Sequence, residues 1–349
     1  MKIRFIPKTY DKSDPIVRLR CDMIIEALKR HGSDIGYYQE DEWADILITA
    51  STDFDSWLPL LEENQKRGQI VIFDLPENEF RRMARMDSKK IMRVLKYIYN
   101  PYEVLCRLTA HLRRKDFDAS LEKMVTLSDH VIVASEDTFS SVTVYNKNCS
   151  IIYEPLEENF PKRPKQHKNK ASSIIWIGMP VNIIYVLEIK DVLREIMDQT
   201  GVRLKVVTSP DLFDSHSNLR DGIPVEIEFI PWDLATLWSE MLNADIGIAP
   251  LFKYTWKSPN KVATYWAAGL PVVASPSKTY SNIIQPRQNG FLASNSEEWR
   301  TSLLTLIHDP ELRNSMGSNG YEKAVSGFSI DKIAGQWRHL FEKLIRTKS

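Results

Sequence analysis

Residues 257–275, KSPNKVATYWAAGLPVVAS, combine a short helix with the strand that follows it. Ser258 is a good N-cap, and Pro259 suits the first helical position, where its missing N–H costs nothing. We expect the helix to run to about Ala268, because Gly269 can take the left-handed conformation that follows a helix end. The β-branched run PVVAS then predicts a strand, and this alternation of helix and strand decides the fold class.

The preceding stretch, ADIGIAPL at residues 244–251, predicts a buried strand and a loop. Strand, loop, helix and strand together form the repeating unit of a parallel sheet. The helix N-terminus would then lie at the carboxyl end of a strand, where its free N–H groups suit a phosphate. Lys257 and Lys261 can bring positive charge to a diphosphate, and Asn260 can donate to an oxygen. An ordinary capped helix with solvated lysines explains the same residues, and both interpretations stay open.

Composition and charge limit the classes of protein that fit the chain. Its 349 residues are many for one hydrophobic core and few for three, so two domains are expected. Lysine and arginine together number 46, as do aspartate and glutamate. The chain therefore has no overall basic charge that would attract nucleic acid.

Cysteine content and apolar runs indicate the compartment. The three cysteines, Cys21, Cys106 and Cys149, are scattered, which favours free thiols in a reducing compartment. The N-terminus lacks the apolar core of a signal peptide, and no apolar window reaches the roughly 20 residues of a spanning helix. We therefore expect a cytoplasmic protein, and neither the cysteines nor the histidines show the spacing of metal ligands.

Residues 1–155 alternate strands with helices. Strands are predicted at KIRFIP, DIGYY, DILITAS, QIVIFDL, SDHVIVAS and CSIIYEP. An amphipathic helix is predicted after the first strand, and another between the third and fourth, near Phe54 to Arg67. This alternation predicts a mostly parallel, doubly wound sheet.

The alternation stops at about residues 77–118, where we predict a helical and locally basic insertion. Basic residues alternate there with methionine, leucine and tyrosine, most densely at residues 81–99. An amphipathic helix with a solvated charged face explains this pattern. A surface helix that rests on anionic lipid, or that docks a charged acceptor, explains it too. The second interpretation would place the protein at the inner face of the membrane.

Residues 156–171 are polar, lysine-rich and contain prolines, as expected of a linker. The strand–helix alternation resumes in residues 172–349, and the last predicted helix can pack back on the N-terminal domain. The expected fold class is α/β, with two Rossmann-like domains that face each other across a cleft. Ligands of such sheets bind at the carboxyl ends of the strands, so the cleft is the expected site.

Segments of the second domain resemble a known family. DIGIAPL, KSPNKVATYWAAGLPVVAS and NGFLASNSEEW are similar to the C-terminal nucleotide-sugar domain of GT-B glycosyltransferases, particularly the retaining group typified by family 4. The resemblance covers roughly residues 172–346, whereas residues 1–155 agree with it only in their alternation of elements. It implies transfer of a sugar from a nucleotide diphosphate donor to a glycan, lipid-linked or small-molecule acceptor, without a metal and with retention of anomeric configuration.

The donor motif departs from the family pattern at acidic positions. Many members carry two glutamates eight positions apart, and these places fall on Trp256 and Thr264 here. The second glutamate usually holds the ribose hydroxyls, for which Thr264 offers one weaker hydrogen bond. The Arg/Lys pair that commonly grips the diphosphate beyond Gly178 is also missing. The resemblance therefore leaves Lys257 and Lys261 as the expected phosphate ligands.

The resemblance assigns further donor-binding roles along the second domain. The segment around Trp232 commonly receives the base, although plain core packing explains this tryptophan as well. The segment from Ser277 to Tyr280 would line the sugar side. The expected donor-binding residues are Gly178, Asn182, Ile230, Pro231, Trp232, Lys257, Ser258, Asn260, Lys261, Thr264, Ser277 and Tyr280.

Three residues of the first domain are candidates for the acceptor side. Asp74 and Glu77 lie at the carboxyl end of a predicted strand, where a carboxylate can orient or deprotonate an acceptor hydroxyl. A turn with an N-cap explains each of them equally well. Arg18 is placed to reach a phosphate in the cleft, although it also fits a solvated helix position.

Two other functions fit the same features. The missing glutamates favour a non-catalytic GT-B subunit that acts as a scaffold for an active transferase. A nucleotide-sugar epimerase would share the fold. A scaffold should ignore nucleotides, an epimerase should act without an acceptor, and a transferase should bind the donor and hydrolyse it slowly.

Overall fold

The N-terminal half of the molecule is built on a parallel sheet. The computed structural model describes residues 1–7, 9–11, 14–40, 42–50, 54–76, 114–209, 227–251 and 257–348. The strands of this sheet are β1 (Lys2–Ile6), β2 (Asp34–Tyr37), β3 (Ile46–Thr49), β4 (Ile70–Leu75), β5 (His130–Val133) and β6 (Cys149–Ile151). They lie in the order β2-β1-β3-β4-β5-β6, with parallel pairing throughout.

Helices cover both faces of this sheet. They are a π-helical segment (Val17–Asp22) continuing into α1 (Met23–Arg30), then α2 (Phe54–Lys66), α3 (Arg114–Leu127) and α4 (Glu136–Val142). On one face, Ile24 and Leu28 of α1 pack with Ile3. On the other face, Leu61 of α2 packs with Leu121 of α3. The strands are apolar on both sides because both faces of the sheet are buried.

The C-terminal half repeats this plan. Its strands are β7 (Ser173–Ile177), β8 (Arg203–Thr208), β9 (Ile227–Pro231), β10 (Ile246–Ala249), β11 (Val272–Ala274) and β12 (Gly290–Leu292). Its helices are α5 (Ile184–Leu187), α6 (Lys190–Thr200), α7 (Leu237–Leu242), α8 (Asn260–Ala267), α9 (Lys278–Ile283), α10 (Ser296–His308) and α11 (Pro310–Phe328). The strand order is β12-β11-β10-β7-β8-β9, again parallel. The predicted α/β fold with two Rossmann-like sheets is confirmed.

The last helix, α12 (Ile330–Lys348), returns to the N-terminal sheet. Its buried residues Trp337 and Phe341 belong to the same core as Phe5 of β1. By sequence the helix follows the C-terminal half, but its apolar face is buried in the N-terminal core. The domain and linker boundaries drawn from the sequence remain predictions.

The opening stretch folds as a helix and a strand, with one correction. α8 begins at Asn260, and Pro259 occupies the N-cap position without a side-chain hydrogen bond. The prediction that Ser258 caps this helix is therefore wrong, because the first turn closes one residue later, where the Ala263 N–H donates to the Pro259 carbonyl at 2.9 Å. Gly269 has a φ of +78°, which confirms its predicted left-handed conformation.

Several predictions fall on residues outside the described ranges. The basic insertion at 77–118 is described only from residue 114, so the proposed membrane contact of residues 81–99 lies outside them. Glu77 and Trp256 lie outside them as well. Within the described ranges, no helix has both the length and the apolar character that crossing a membrane requires.

Candidate functional site

The strand order of the C-terminal sheet changes direction between β7 and β10. β8 and β9 extend the sheet on one side of β7, whereas β10, β11 and β12 extend it on the other. The chain segments that leave two such strands diverge and open a crevice, in which α/β proteins bind ligands. Gly178 directly follows β7, and α8 begins after the loop that follows β10. The crevice therefore has Gly178 on one side and the start of α8 on the other.

Lys261 lies in the first turn of α8 and reaches the crevice. Its Nζ lies 4.4 Å from the centroid of the Trp176 ring, a cation–π contact. Burial lowers the pKa of Lys261 to about 7, and the charge of Lys257 adds to the effect. Among the described residues, Lys261 forms no ion pair. The crevice thus contains an amine for which the described residues supply no counterion.

Gly178 makes room for that amine. A Cβ atom added to Gly178 would lie 2.7 Å from the Trp176 ring and 3.3 Å from the Lys261 Nζ. The Gly178 N–H donates to the Val207 carbonyl at 3.1 Å, which holds the turn against β8. A glycine is needed here because backbone, ring and amine meet at close range.

The start of α8 adds a second source of positive potential. The first N–H groups of a helix have no partner within the helix and carry the positive end of its dipole. No side chain caps α8, and Lys257 lies close to its first turn. In the described part of the chain, no group of three or more His, Cys, Asp or Glu side chains is arranged to hold a metal ion. The positive potential that the described residues supply to the crevice comes from lysine and helix.

A cavity lies between the two halves of the molecule. Its volume is about 160 Å³, and Lys257, Ser258 and Asn260 line it from the C-terminal half. Pro76, which follows β4, and Thr138 of α4 line it from the N-terminal half. The cavity therefore joins the start of α8 to the carboxyl ends of the N-terminal strands.

Glu154 also lines this cavity. The residue is 8% exposed, and its Oε2 is buried without a hydrogen-bond partner among the described residues. Its Oε1 lies 3.9 Å from the Arg20 Nη1, beyond hydrogen-bond distance. Burial raises the pKa of Glu154, while the charge of Arg20 opposes the rise. A hydrogen bond from the Ser258 hydroxyl also favours the charged carboxylate, so Arg20 and Ser258 are its polar neighbours, while Oε2 has no partner among the described residues.

The Asp74 side chain is paired with Arg20 inside the N-terminal core. Arg20 donates to it from Nε at 2.7 Å and from Nη2 at 2.5 Å, and both side chains are fully buried. Burial disfavours the charge of Arg20, but the attraction of Asp74 outweighs burial and raises the pKa of the guanidinium. The expectation that Asp74 acts on an acceptor hydroxyl is corrected, because both of its oxygens bind Arg20 and hold β4 to the preceding helical segment.

Arg18 connects the two halves of the molecule. Its Nη2 donates to the Glu157 Oε1 at 2.6 Å, and its guanidinium lies 5.2 Å from the centroid of the Trp232 ring. Trp232 directly follows Ile230 and Pro231, which end β9. The segment predicted to receive the base therefore has an arginine of the N-terminal half against its aromatic ring. The alternative of a solvated Arg18 is wrong.

The remaining predicted donor residues differ in their accessibility. The Thr264 hydroxyl donates to the Asn260 carbonyl at 2.9 Å, within α8. Ser277 caps α9 by accepting from the Tyr280 N–H at 3.1 Å. The Tyr280 ring is 1% exposed and packs in the C-terminal core, so the expectation that it lines a sugar is corrected. Asn182 lies in a short 3₁₀ segment, Pro180–Ile183, after β7.

The sequence patterns did not predict a role for three residues that build these sites: Trp176, Arg20 and Glu154. Trp176 and Arg20 lie in ordinary apolar and amphipathic runs, and only tertiary packing pairs them with Lys261 and Asp74. Glu154 carried a usable signal, because it is the penultimate residue of the predicted strand CSIIYEP, just as Asp74 is the penultimate residue of IVIFDL. A carboxylate at that end of a strand can orient or deprotonate an acceptor hydroxyl, as predicted for Asp74.

Comparison with known proteins identifies the C-terminal half. Residues 172–309 match the family model described as Glycosyl transferases group 1. These residues therefore form a glycosyltransferase group 1 domain, which confirms the predicted resemblance to glycosyltransferases at the level of the domain. No curated protein sequence matches the chain significantly.

Solved glycosyltransferase structures are similar to the chain in fold. Anabaena HepE, solved with UDP, aligns with a TM-score of 0.67 and 12% identity, over 98% of this chain and 100% of its own. WaaG, a glycosyltransferase involved in lipopolysaccharide biosynthesis, aligns with a TM-score of 0.60 and 13% identity, over 97% and 98%. A mutant of S. aureus TarM, solved with UDP among other ligands, aligns with a TM-score of 0.59 and 14% identity, over 85% of this chain and 55% of its own.

These likenesses establish the fold as the two-domain GT-B fold. The chain spans about half the length of TarM and nearly all of HepE and WaaG. The matched domain supports the prediction that the protein is a glycosyltransferase.

Proposed function

We propose that the protein transfers a sugar from a nucleotide diphosphate donor to a hydroxyl group of a saccharide or lipid-linked acceptor. The observation that carries this proposal is Lys261, whose amine lies beside Gly178 and the start of α8 and has no counterion in the described part of the chain. A diphosphate would be the counterion that the crevice lacks. Negative charge on the diphosphate grows as its bond to the sugar breaks, so the same groups would stabilise the leaving group.

A uridine nucleotide is the donor that we propose. HepE and TarM were both solved with UDP, and HepE also with UDP-glucose. The base would lie near the segment that ends at Trp232, whose ring contacts Arg18. Thr264 would meet the ribose only as an acceptor, because its proton is bonded to the Asn260 carbonyl.

The proposed reaction needs no metal cofactor. Lys261, Lys257 and the first turn of α8 would neutralise the diphosphate in place of a divalent cation. The bond between the anomeric carbon and the diphosphate oxygen breaks, and a bond to the acceptor oxygen forms. The acceptor proton leaves with the diphosphate. We propose retention of anomeric configuration, as the resemblance to the family 4 group implies.

A membrane-proximal acceptor is proposed on the basic composition of residues 81–99. WaaG, which shares the fold, is involved in lipopolysaccharide biosynthesis. Co-sedimentation with vesicles of phosphatidylglycerol, compared with phosphatidylcholine, tests this location at the inner face of the membrane. We expect binding to the anionic vesicles alone, weakened by salt. Absence of binding to both would contradict it.

A nucleotide panel tests the donor site. Thermal shift and calorimetry would compare UDP, GDP, ADP, CMP and dTDP, with and without EDTA. We expect a selective shift that EDTA leaves unchanged, since a ligand at a hundred times its dissociation constant stabilises a fold by about 2.7 kcal/mol. No shift with any nucleotide would favour the scaffold, and conversion of the donor sugar without an acceptor would favour the epimerase.

The variant Lys261→Met tests the residue that carries the proposal. We expect UDP affinity to fall roughly ten- to hundredfold, the range for loss of a hydrogen bond to a charged group. The melting temperature without nucleotide should not fall, because the substitution removes a desolvated amine and keeps an apolar side chain on Trp176. Lys168→Met replaces an exposed lysine and is the matched control. We expect this control to change neither the UDP affinity nor the melting temperature. Equal UDP affinity in the two variants would contradict the proposal that Lys261 binds the diphosphate.

A further inference from the structure

The cavity between the two halves contains a group that the donor site does not use. Glu154 is 8% exposed and lines the cavity together with Lys257, Ser258 and Asn260. Its Oε2 is buried without a hydrogen-bond partner among the described residues. The Ser258 hydroxyl hydrogen-bonds to the carboxyl group but leaves this oxygen without a partner. Buried carboxylate oxygens in proteins are normally hydrogen-bonded, so Oε2 can accept from a donor that the described residues do not supply.

The protein's own arginine does not satisfy Glu154. Arg20 gives two hydrogen bonds to Asp74 and one, from Nη1, to the Ile152 carbonyl at 2.9 Å. The Glu154 Oε1 lies 3.9 Å from that Nη1 and receives no hydrogen bond from it. One buried guanidinium thus faces two buried carboxylates and pairs with Asp74. The Glu154 Oε2 therefore remains available to a ligand that binds in the cavity.

The surroundings of the cavity select the class of ligand. Lys257 on the C-terminal wall disfavours a cation, and the Glu154 carboxyl group disfavours an anion. A neutral ligand with hydroxyl groups satisfies both walls. The volume of about 160 Å³ has room for about five water molecules, which is comparable to one monosaccharide ring.

We propose that Glu154 accepts a hydrogen bond from a hydroxyl group of a sugar ring bound in this cavity, beside the start of α8. This inference rests on the proposed function and deepens it, since it assigns the sugar-selecting group of the same cleft. The sugar belongs either to the acceptor or to the donor. The two sources share the same chemistry, and the experiment distinguishes them.

The experiment compares the wild type with Glu154→Ala and Glu154→Gln. Glu154→Gln keeps the shape of the side chain, so it reports on the cavity even if Glu154→Ala is poorly folded. Glu158→Gln changes an exposed glutamate of the same segment and is the matched control. Saturation-transfer NMR with methyl glycosides of glucose, galactose, mannose and N-acetylglucosamine, with and without UDP, probes the acceptor. The affinities of UDP and UDP-glucose, measured by calorimetry, probe the donor.

We expect Glu154→Ala to weaken sugar recognition about tenfold or more and Glu154→Gln to weaken it less, with UDP affinity unchanged within about twofold. Loss of the methyl glycoside signal would assign the sugar to the acceptor. Loss of the preference for UDP-glucose over UDP would assign it to the donor. If both variants keep every sugar signal of the wild type, the inference is overturned. If the wild type binds no UDP, the proposed function fails, while the glycoside signal measured without nucleotide still decides the role of Glu154.

Discussion

At the residue scale, the proposed donor site depends on an amine that has no carboxylate partner among the described residues. Lys261 lies against the Trp176 ring, and burial lowers its pKa to about 7. A lysine paired with a carboxylate would keep its charge but would lose that partner on binding a diphosphate. Lys261 needs no such exchange, because an arriving anion restores the charge that burial disfavours. Its protonation is thereby coupled to ligand binding.

This coupling predicts a pH-dependent affinity for UDP-glucose. The pKa of Lys261 is lowered in the free protein, so the amine is mostly charged at pH 6 and mostly neutral at pH 8. Binding should therefore be strongest below pH 7 and about tenfold weaker at pH 8, because the bound state must take up a proton. Calorimetry at both pH values, in buffers of different ionisation enthalpy, measures the affinity for UDP-glucose and the number of protons taken up on binding.

The Lys261→Met variant is the control for that pH dependence. Both phosphates of UDP-glucose are esterified, so neither titrates in this range. The affinity of the variant should be lower and nearly independent of pH. A slope equal to that of the wild type would assign the titration to a different group.

At the scale of elements, the position of α8 depends on its contact with α11. A Cβ atom added to Gly317 of α11 would overlap the carbonyl oxygen of Gly269, which ends α8 in a left-handed conformation. One added to Gly320 would meet the ring of Trp266, a buried residue of α8. Two glycines one turn apart thus allow the backbones of the two helices to approach closely. This contact fixes the helix that carries Lys261.

Substituting two glycines of α11 tests that contact. Gly317→Ala should lower the free energy of unfolding by about 1–3 kcal/mol, the usual cost of overpacking. Gly327 lies in the same helix with no atom within 4 Å of an added Cβ, so Gly327→Ala should be neutral or stabilising by up to about 1 kcal/mol. Urea denaturation measures both variants. Equal stability of the Gly317→Ala and Gly327→Ala proteins would contradict the close approach of α8 and α11.

At the scale of the whole molecule, the contact made by Arg18 is not alone, because α9 and α12 also connect the two halves. The Lys278 Nζ of α9 donates to the Ser140 hydroxyl of α4 at 3.1 Å. The second connection is α12, whose Trp337 packs with Phe5 and lies 5.7 Å from the Arg20 guanidinium. The N-terminal core is therefore completed by the last helix of the chain. A change in α12 should therefore destabilise the N-terminal half, which forms one wall of the cavity.

Two tryptophan substitutions test this dependence. Trp337→Ala should destabilise the protein by about 3–5 kcal/mol, because it removes a buried aromatic side chain from the N-terminal core. Trp43 is 51% exposed, and Trp43→Ala should change the stability by about 0.5 kcal/mol or less. Thermal and urea unfolding measure the difference. A Trp337→Ala protein as stable as the Trp43→Ala protein would show that α12 is not part of the core.

The sequence by itself determined the elements and their class. Strand runs such as IVIFDL, the left-handed glycine at Gly269 and the motif that follows Lys257 are local signals, because turn conformation and side-chain periodicity depend on near neighbours. These signals were sufficient for the two parallel sheets and for the glycosyltransferase domain. They also placed Lys261 and Gly178 at the carboxyl ends of the strands.

Only the tertiary structure decided which polar groups are already paired. Asp74 and Glu154 carry the same local signal. Arg20, 54 positions before Asp74, nevertheless donates hydrogen bonds to both oxygens of Asp74, whereas the Glu154 Oε2 in the cavity has no partner among the described residues. Lys261 lacks an ion pair among the described residues because β7 brings Trp176, and not a carboxylate, against it. The physical reason is that the free energy of a buried charge depends on contacts between residues distant in sequence, which no local pattern records.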